Sequence, residues 1–131
     1  MRLKDEVAIV TGAASGIARA TAILFAREGA KVVVADLQKE SRLDEETPDT
    51  ASAIKAMGGE AIFVKTNVSK SDQVNAMVTE AVRHFGRVNI LVNCAGGDIG
   101  ASGNKPDPNN ILGITYEDLT TLTNNNLIGT M

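Results

Sequence analysis

The residues of this 131-residue chain whose type and spacing could do chemistry begin with Thr11-Gly12-Ala13-Ala14-Ser15-Gly16, directly after the β-branched run Val7 to Val10. A strand that enters a glycine-rich turn and leaves as a helix gathers backbone N–H groups at the helix N-terminus. There they can hold a pyrophosphate without a basic side chain. Gly12 and Gly16 let the backbone come close to such a group. The second candidate is Asp36, which closes the next apolar run, Lys31 to Asp36. It stands about 20 residues beyond the turn, where a carboxylate can accept hydrogen bonds from ribose hydroxyls. No Arg or Lys immediately follows it to receive a 2′-phosphate.

Neither feature is specific alone. The turn spells G-x-x-x-G-x-A instead of G-x-G-x-x-G, and it lacks the Gly-Lys-Ser/Thr ending of a P-loop. A tight strand-to-helix turn needs glycine for its geometry in any case. An isolated Asp at a strand end is ordinarily a solvated carboxylate. Together, a glycine turn and a carboxylate at this spacing favour a dinucleotide. Three other residues carry less. Cys94 ends an apolar strand with no base near it in sequence, His84 sits by a helix C-terminus where a cation is favourable, and Met77 belongs to a core stripe. Each reads as structural.

The elements that must position these groups follow from hydrophobic periodicity. Val7 to Val10 is a buried strand, and a helix begins at about Gly16, with Ile17, Ala20, Thr21, Leu24 and Phe25 on one face and Gly29 as its C-cap. Lys31 to Asp36 is a second strand whose continuous apolar run implies burial on both faces. A polar stretch, Leu37 to Thr50, reads in part as a surface insertion before a helix over Ala51 to Met57. Glu60 to Thr66 is a third strand. The clearest helix follows, with Val74, Met77, Val78, Ala81, Val82 and Phe85 in one stripe and Gly86 closing it. A fourth strand covers Ile90 to Asn93, and residues 97–114, rich in Gly, Asn, Asp and Pro, read as a long flexible loop. Thr115-Tyr116-Glu117-Asp118 starts a last helix that nothing in the sequence terminates. This alternation predicts an α/β fold, a Rossmann-like doubly wound parallel sheet in a single domain over residues 1–131, with strand order 3-2-1-4.

Composition narrows the function classes. Hydrophobic residues make up 44% of the chain and aromatics only 3%, so the core is aliphatic. A net charge of −3 with scattered Lys and Arg gives no nucleic-acid footprint. No apolar run approaches the ~18 residues of a membrane span, and a cytoplasmic location is the expectation. One cysteine and one histidine supply no metal site.

Five motifs recur in order: T-G-A-A-S-G-I-A at Thr11 to Ala18, Asp36, Asn67-Val68, N-C-A-G at Asn93 to Gly96, and N-L-I-G at Asn126 to Gly129. Together they resemble the short-chain dehydrogenase/reductase family. The resemblance implies that Gly12, Ser15, Gly16 and Ile17 line the pyrophosphate and that Asp36 and Leu37 hold the adenine ribose. Asn67 and Val68 would flank the adenine, with Asn93, Ala95 and Gly96 lining the cofactor across the switch point of the sheet. Asp36, with Ser15 in place of a basic residue, resembles members that prefer NAD over NADP. Two departures stand out: Ala18 replaces a third glycine and Asn67 replaces an aspartate. Asn67 could still donate to an adenine nitrogen or accept from its amino group.

The family's catalysis uses a tyrosine, a lysine four residues later, a serine and an asparagine, and only the asparagine has a counterpart, Asn126, supporting a proton-relay water. The sole tyrosine, Tyr116, is followed four residues on by Thr120. No sequence neighbour would stabilise its phenolate. The strand order 3-2-1-4 would also leave Ile90-Leu91-Val92 on a bare edge, which soluble proteins normally avoid. The expectation is the front half of an NAD(H)-dependent oxidoreductase acting on an alcohol/carbonyl pair, its remaining strands, substrate pocket and homo-oligomer contacts lying beyond Met131. The alternative is a non-catalytic nucleotide-binding or interaction module.

Overall fold

A computed structural model describes residues 1–41, 47–97 and 115–131. Strands β1 (Val7–Thr11), β2 (Lys31–Asp36), β3 (Ala61–Lys65) and β4 (Ile90–Val92) alternate with helices α1 (Gly16–Arg27), α2 (Thr50–Ala56) and α3 (Ser71–Phe85), and α4 (Tyr116–Thr123) follows. The four strands form one parallel sheet in the order β3-β2-β1-β4, as the alternation predicts. β1 and the middle of β2 are buried throughout, the pattern a parallel sheet produces when helices cover both faces. On one face Val10, Val32 and Val34 pack with Ala18, Ala22 and Ala26 of α1 and Ala51 and Ile54 of α2. On the other, Ile9, Val33 and Ala35 pack with Met77 and Ala81 of α3.

α1 corrects the periodicity reading. Its buried residues are Ala18, Ala22 and Ala26, whereas Ile17 is 84% and Leu24 51% exposed. Methyl side chains let a helix lie close on a sheet, and an alanine series at i, i+4, i+8 is as helical in period as the larger residues beside it. Phe25 is half-buried and packs against the same core as expected, while it and Leu24 also line a hollow with Arg2 and Leu3 at the chain's N-terminus. Ala18, in place of the third glycine, fits at 4% exposure. The α3 stripe is also narrower than expected. Met77 and Ala81 are buried, Val74 and Phe85 pack at the margin, and Val78 and Val82 face outward. Gly86 closes α3 in the left-handed region at φ 85°, as its position predicts.

α2 begins one residue early. Asp49 caps it, its carboxylate accepting from the Ser52 amide at 3.1 Å and the Ser52 hydroxyl at 2.6 Å. Thr50, at the end of the stretch read as a surface insertion, is fully buried. α4 opens with the expected capping box, Thr115 and Asp118 each bonding the other's backbone amide. It then widens into a π-helical turn, Asn124–Ile128. The loop expected over 97–114 lies outside the described residues except for Gly97. Among the described residues, no helix is long and apolar enough to cross a membrane.

β4 is the edge that the strand order implies, and its Leu91 is 54% exposed. Its exit is secured to β1 by Thr11, whose buried hydroxyl accepts from the amides of Cys94 at 3.1 Å and Ala95 at 3.0 Å and donates to the Val92 carbonyl at 3.4 Å.

Two outcomes follow. Thr11→Val strips both amides of their acceptor and is expected to lower stability by about 1–3 kcal/mol, with hydrogen exchange accelerated at Cys94 and Ala95. Unchanged exchange there would contradict the tie. For Asp49, burial works to raise the carboxyl pKa, but the hydrogen bonds from Ser52 and the nearby Lys39 outweigh it and the net pKa is lowered. A lowered folded-state pKa contributes stability above the unfolded pKa and loses it as pH falls through the folded one. Denaturant titrations are therefore expected to show Asp49→Ala less stable by about 1 kcal/mol at neutral pH, the gap closing as acid takes the pH below about 4.

Candidate functional site

The parallel register sets Thr11 opposite Ala35, so the turn leaving β1 lies beside the end of β2. Across that gap the Ala13 amide donates to the Ala35 carbonyl at 3.3 Å, and the Ala14 amide donates to Oδ2 of Asp36 at 3.0 Å. Oδ1 of Asp36 accepts from the Leu37 amide at 2.7 Å. A carboxylate offers about four acceptor positions, so these two bonds leave capacity for further donors such as hydroxyls. Asp36 is half-buried and Leu37 exposed beside it. The two features that sequence pairs by spacing are thus joined physically.

The turn itself needs its glycines. Gly12 and Gly16 have φ of 71° and 62°, in the left-handed region. A Cβ on Gly12 would also lie 3.0 Å from the Ala95 Cα and the Cys94 carbonyl oxygen, so Gly12 admits the β4 exit as well as leaving the turn open. Ser15 is the extended N-cap of α1, and its side chain makes no capping bond. Among the described residues, no acceptor takes the amides of Ser15, Gly16 and Ile17. Those orphan donors at a helix N-terminus, next to the exposed Ile17 side chain, have the geometry that can receive an anion.

On the β3 side, Asn67 is occupied more than sequence suggests. Its Oδ1 accepts from the Ser69 amide at 3.0 Å and the Ser69 hydroxyl at 2.6 Å, and its own amide donates to Gln73. The Nδ2 donor is the end left to a ligand, so of the two expected modes donation is the one the local structure favours. Val68 stands against Gly129, where a Cβ would come within 2.8 Å of its Cγ2.

On the β4 side, Asn93 and Gly96 are exposed and Ala95 half-buried. Asn126 reaches them through the neighbouring backbone. Its Oδ1 accepts from the Gly97 amide at 2.8 Å and its Nδ2 donates to the Gly97 carbonyl at 2.7 Å. A Cβ on Gly96 would lie 2.7 Å from that Oδ1, so the glycine makes room for the clamp. The side-chain amide of Asn126 is therefore engaged with backbone. Tyr116 is 85% exposed at the start of α4, and Cys94 is exposed.

Sequence reading overlooked three residues at this site. Thr11 ties the two strand exits, as described above. Thr50 donates its hydroxyl to the Ala13 carbonyl at 2.7 Å, and Arg19 donates from Nη1 to the Thr50 hydroxyl at 3.0 Å. The available signal was Asp49-Thr50-Ala51-Ser52, an N-cap followed by a residue that a helix start can turn inward.

Comparison with known proteins agrees with the fold and the motifs. A profile of the short chain dehydrogenase family matches residues 6–131. The 3-oxoacyl-(acyl-carrier-protein) reductase FabG of Thermotoga maritima is 41% identical over 96 residues, covering 73% of this chain and 37% of its own. Tropinone reductase-like 2 of Erythroxylum coca is 44% identical over 96 residues, covering 72% of this chain and 32% of its own. A short chain dehydrogenase from Mycobacterium smegmatis, known from its crystal structure, superposes with a TM-score of 0.80 at 32% identity, over 99% of this chain and 50% of that one. The chain thus spans between 32% and 37% of the length of these curated relatives. With a family profile matched over residues 6–131 and the parallel sheet shared with a solved relative, the chain belongs to the short chain dehydrogenase family.

Proposed function

We propose that this chain is the cofactor-binding part, a single dinucleotide-binding domain, of an NAD(H)-dependent oxidoreductase acting on an alcohol/carbonyl pair. The carrying observation is the Asp36 carboxylate, fixed by the Ala14 and Leu37 amides with acceptor positions to spare beside an anion cradle. The donors of Ser15, Gly16 and Ile17, with Gly12 keeping the turn open, suit a pyrophosphate. Asp36 and Leu37 then meet the adenine ribose. Asn67 offers its Nδ2 to the adenine beside Val68, and Asn93, Ala95 and Gly96 line the far half of the cofactor. When bound, a nicotinamide cofactor supplies the hydride donor or acceptor.

The fixed negative charge of Asp36 favours a free 2′-hydroxyl over a 2′-phosphate, hence NAD over NADP. Asn126 holds the β4 exit through Gly97 and is assigned to the support of a proton-relay water. Residues 1–131 carry no Tyr-x-x-x-Lys, and this chain alone is expected to bind the cofactor without turning over. The alcohol or carbonyl substrate, a homo-oligomer and a cytoplasmic location are assigned to the full-length parent.

Fluorescence titration tests the reading. NADH is expected to bind saturably, NADPH more weakly, and Asp36→Ala to weaken NADH by about tenfold or more, as befits loss of charge-assisted hydrogen bonds. A folded chain that fails to bind NADH, or an Asp36→Ala variant that binds it as well as the parent, would overturn the assignment.

A further inference from the structure

We infer that Thr50, the first residue of α2, is a positioning residue for the pyrophosphate-binding turn, an inference that rests on the cofactor reading of that turn. The peptide group between Ala13 and Ala14 is held from both ends. Its carbonyl accepts from the Thr50 hydroxyl at 2.7 Å, and its N–H donates to Asp36 at 3.0 Å. A peptide unit is planar, so fixing its oxygen and its nitrogen fixes the rotation of the whole plane. That rotation sets the direction in which the chain leaves Ala14, and with it the aim of the Ser15, Gly16 and Ile17 amides.

Arg19 completes the device. A guanidinium only donates, so the Thr50 oxygen accepts the bond from Arg19 Nη1 and its proton is directed at Ala13. Thr50 is 0% exposed, so water does not compete for either bond. Asp49 fixes the start of α2 from outside, while Thr50 transmits that position to the turn. Packing alone would be served by valine, which has the same shape, so the hydroxyl is the part that acts.

The test compares ADP with adenosine, since only ADP uses the turn's amides, by ligand-observed NMR titration of the chain and its variants, with thermal melts alongside. Thr50→Val is expected to weaken ADP about tenfold while adenosine changes less than about twofold. Thr50→Ser is expected to return ADP to within about threefold of the parent. Arg19→Met keeps the Thr50 hydroxyl as a donor to Ala13 but removes the bond that orients its proton, and is expected to weaken ADP by about threefold. ADP binding by Thr50→Val equal to the parent's overturns the role. So does an equal loss of ADP and adenosine that serine does not restore, which marks a merely structural residue. Should Thr50→Val not fold, Thr50→Ala decides, and an ADP affinity in it equal to the parent's overturns the inference. A parent chain that binds neither ADP nor NADH overturns the cofactor reading itself, whereas one that binds both with an indifferent Thr50→Val overturns only the role of Thr50.

Discussion

The bond from the Ala14 amide to Asp36 depends on one constraint, the register of β1 against β2. With Thr11 opposite Ala35, the turn leaving β1 and the carboxylate ending β2 stand level, and a side chain 22 residues away in sequence can hold a turn amide. A slip of one residue would reverse the faces of β2 and carry Asp36 away from the turn. The register is specified by burial. Val32 and Val34 pack against α1 and α2, while Val33 and Ala35 pack against α3, so neither face of β2 can exchange with the other without loss. Aliphatic packing in the middle of the sheet thus determines the geometry of a polar site at the C-terminal ends of its two central strands.

The same few residues also organise the other side of the sheet. Thr11 accepts two amides of the β4 exit, and Gly12, lacking a Cβ, leaves room for that exit to pass. Asn126 then clamps Gly97, and Gly129 rests on Val68, so the last segment spans the ends of β4 and β3. Asn126 is therefore first a structural clamp in this chain. A polar run that looks like a solvated helix surface closes the site through a single amide side chain.

Much of this was legible in the sequence because it rests on local rules. Strand runs, the glycine at φ 85° that ends α3, the capping box of α4 and the order of strands all follow from periodicity and turn chemistry. The face of α1 was not legible, because alanine carries little hydrophobic signal even where close packing demands it. Thr50 was hidden for a related reason. Its neighbours are polar, and only the tertiary approach of α2 to the turn turns its hydroxyl inward. The occupied Oδ1 of Asn67 depends on a hydrogen bond to a residue two positions away, which residue types allow but do not require. Features defined by backbone shape were readable, and those defined by particular side-chain contacts, local or distant, were not.

The central claim is that the β1 turn and Asp36 form one dinucleotide site. A crystal structure of the chain grown with NADH tests it most directly. The account predicts diphosphate oxygens within hydrogen-bond distance of the Ser15, Gly16 and Ile17 amides and ribose hydroxyls donating to Asp36, with the Ala14 bond intact. A dinucleotide seated elsewhere, or one whose ribose leaves Asp36 untouched, would contradict it.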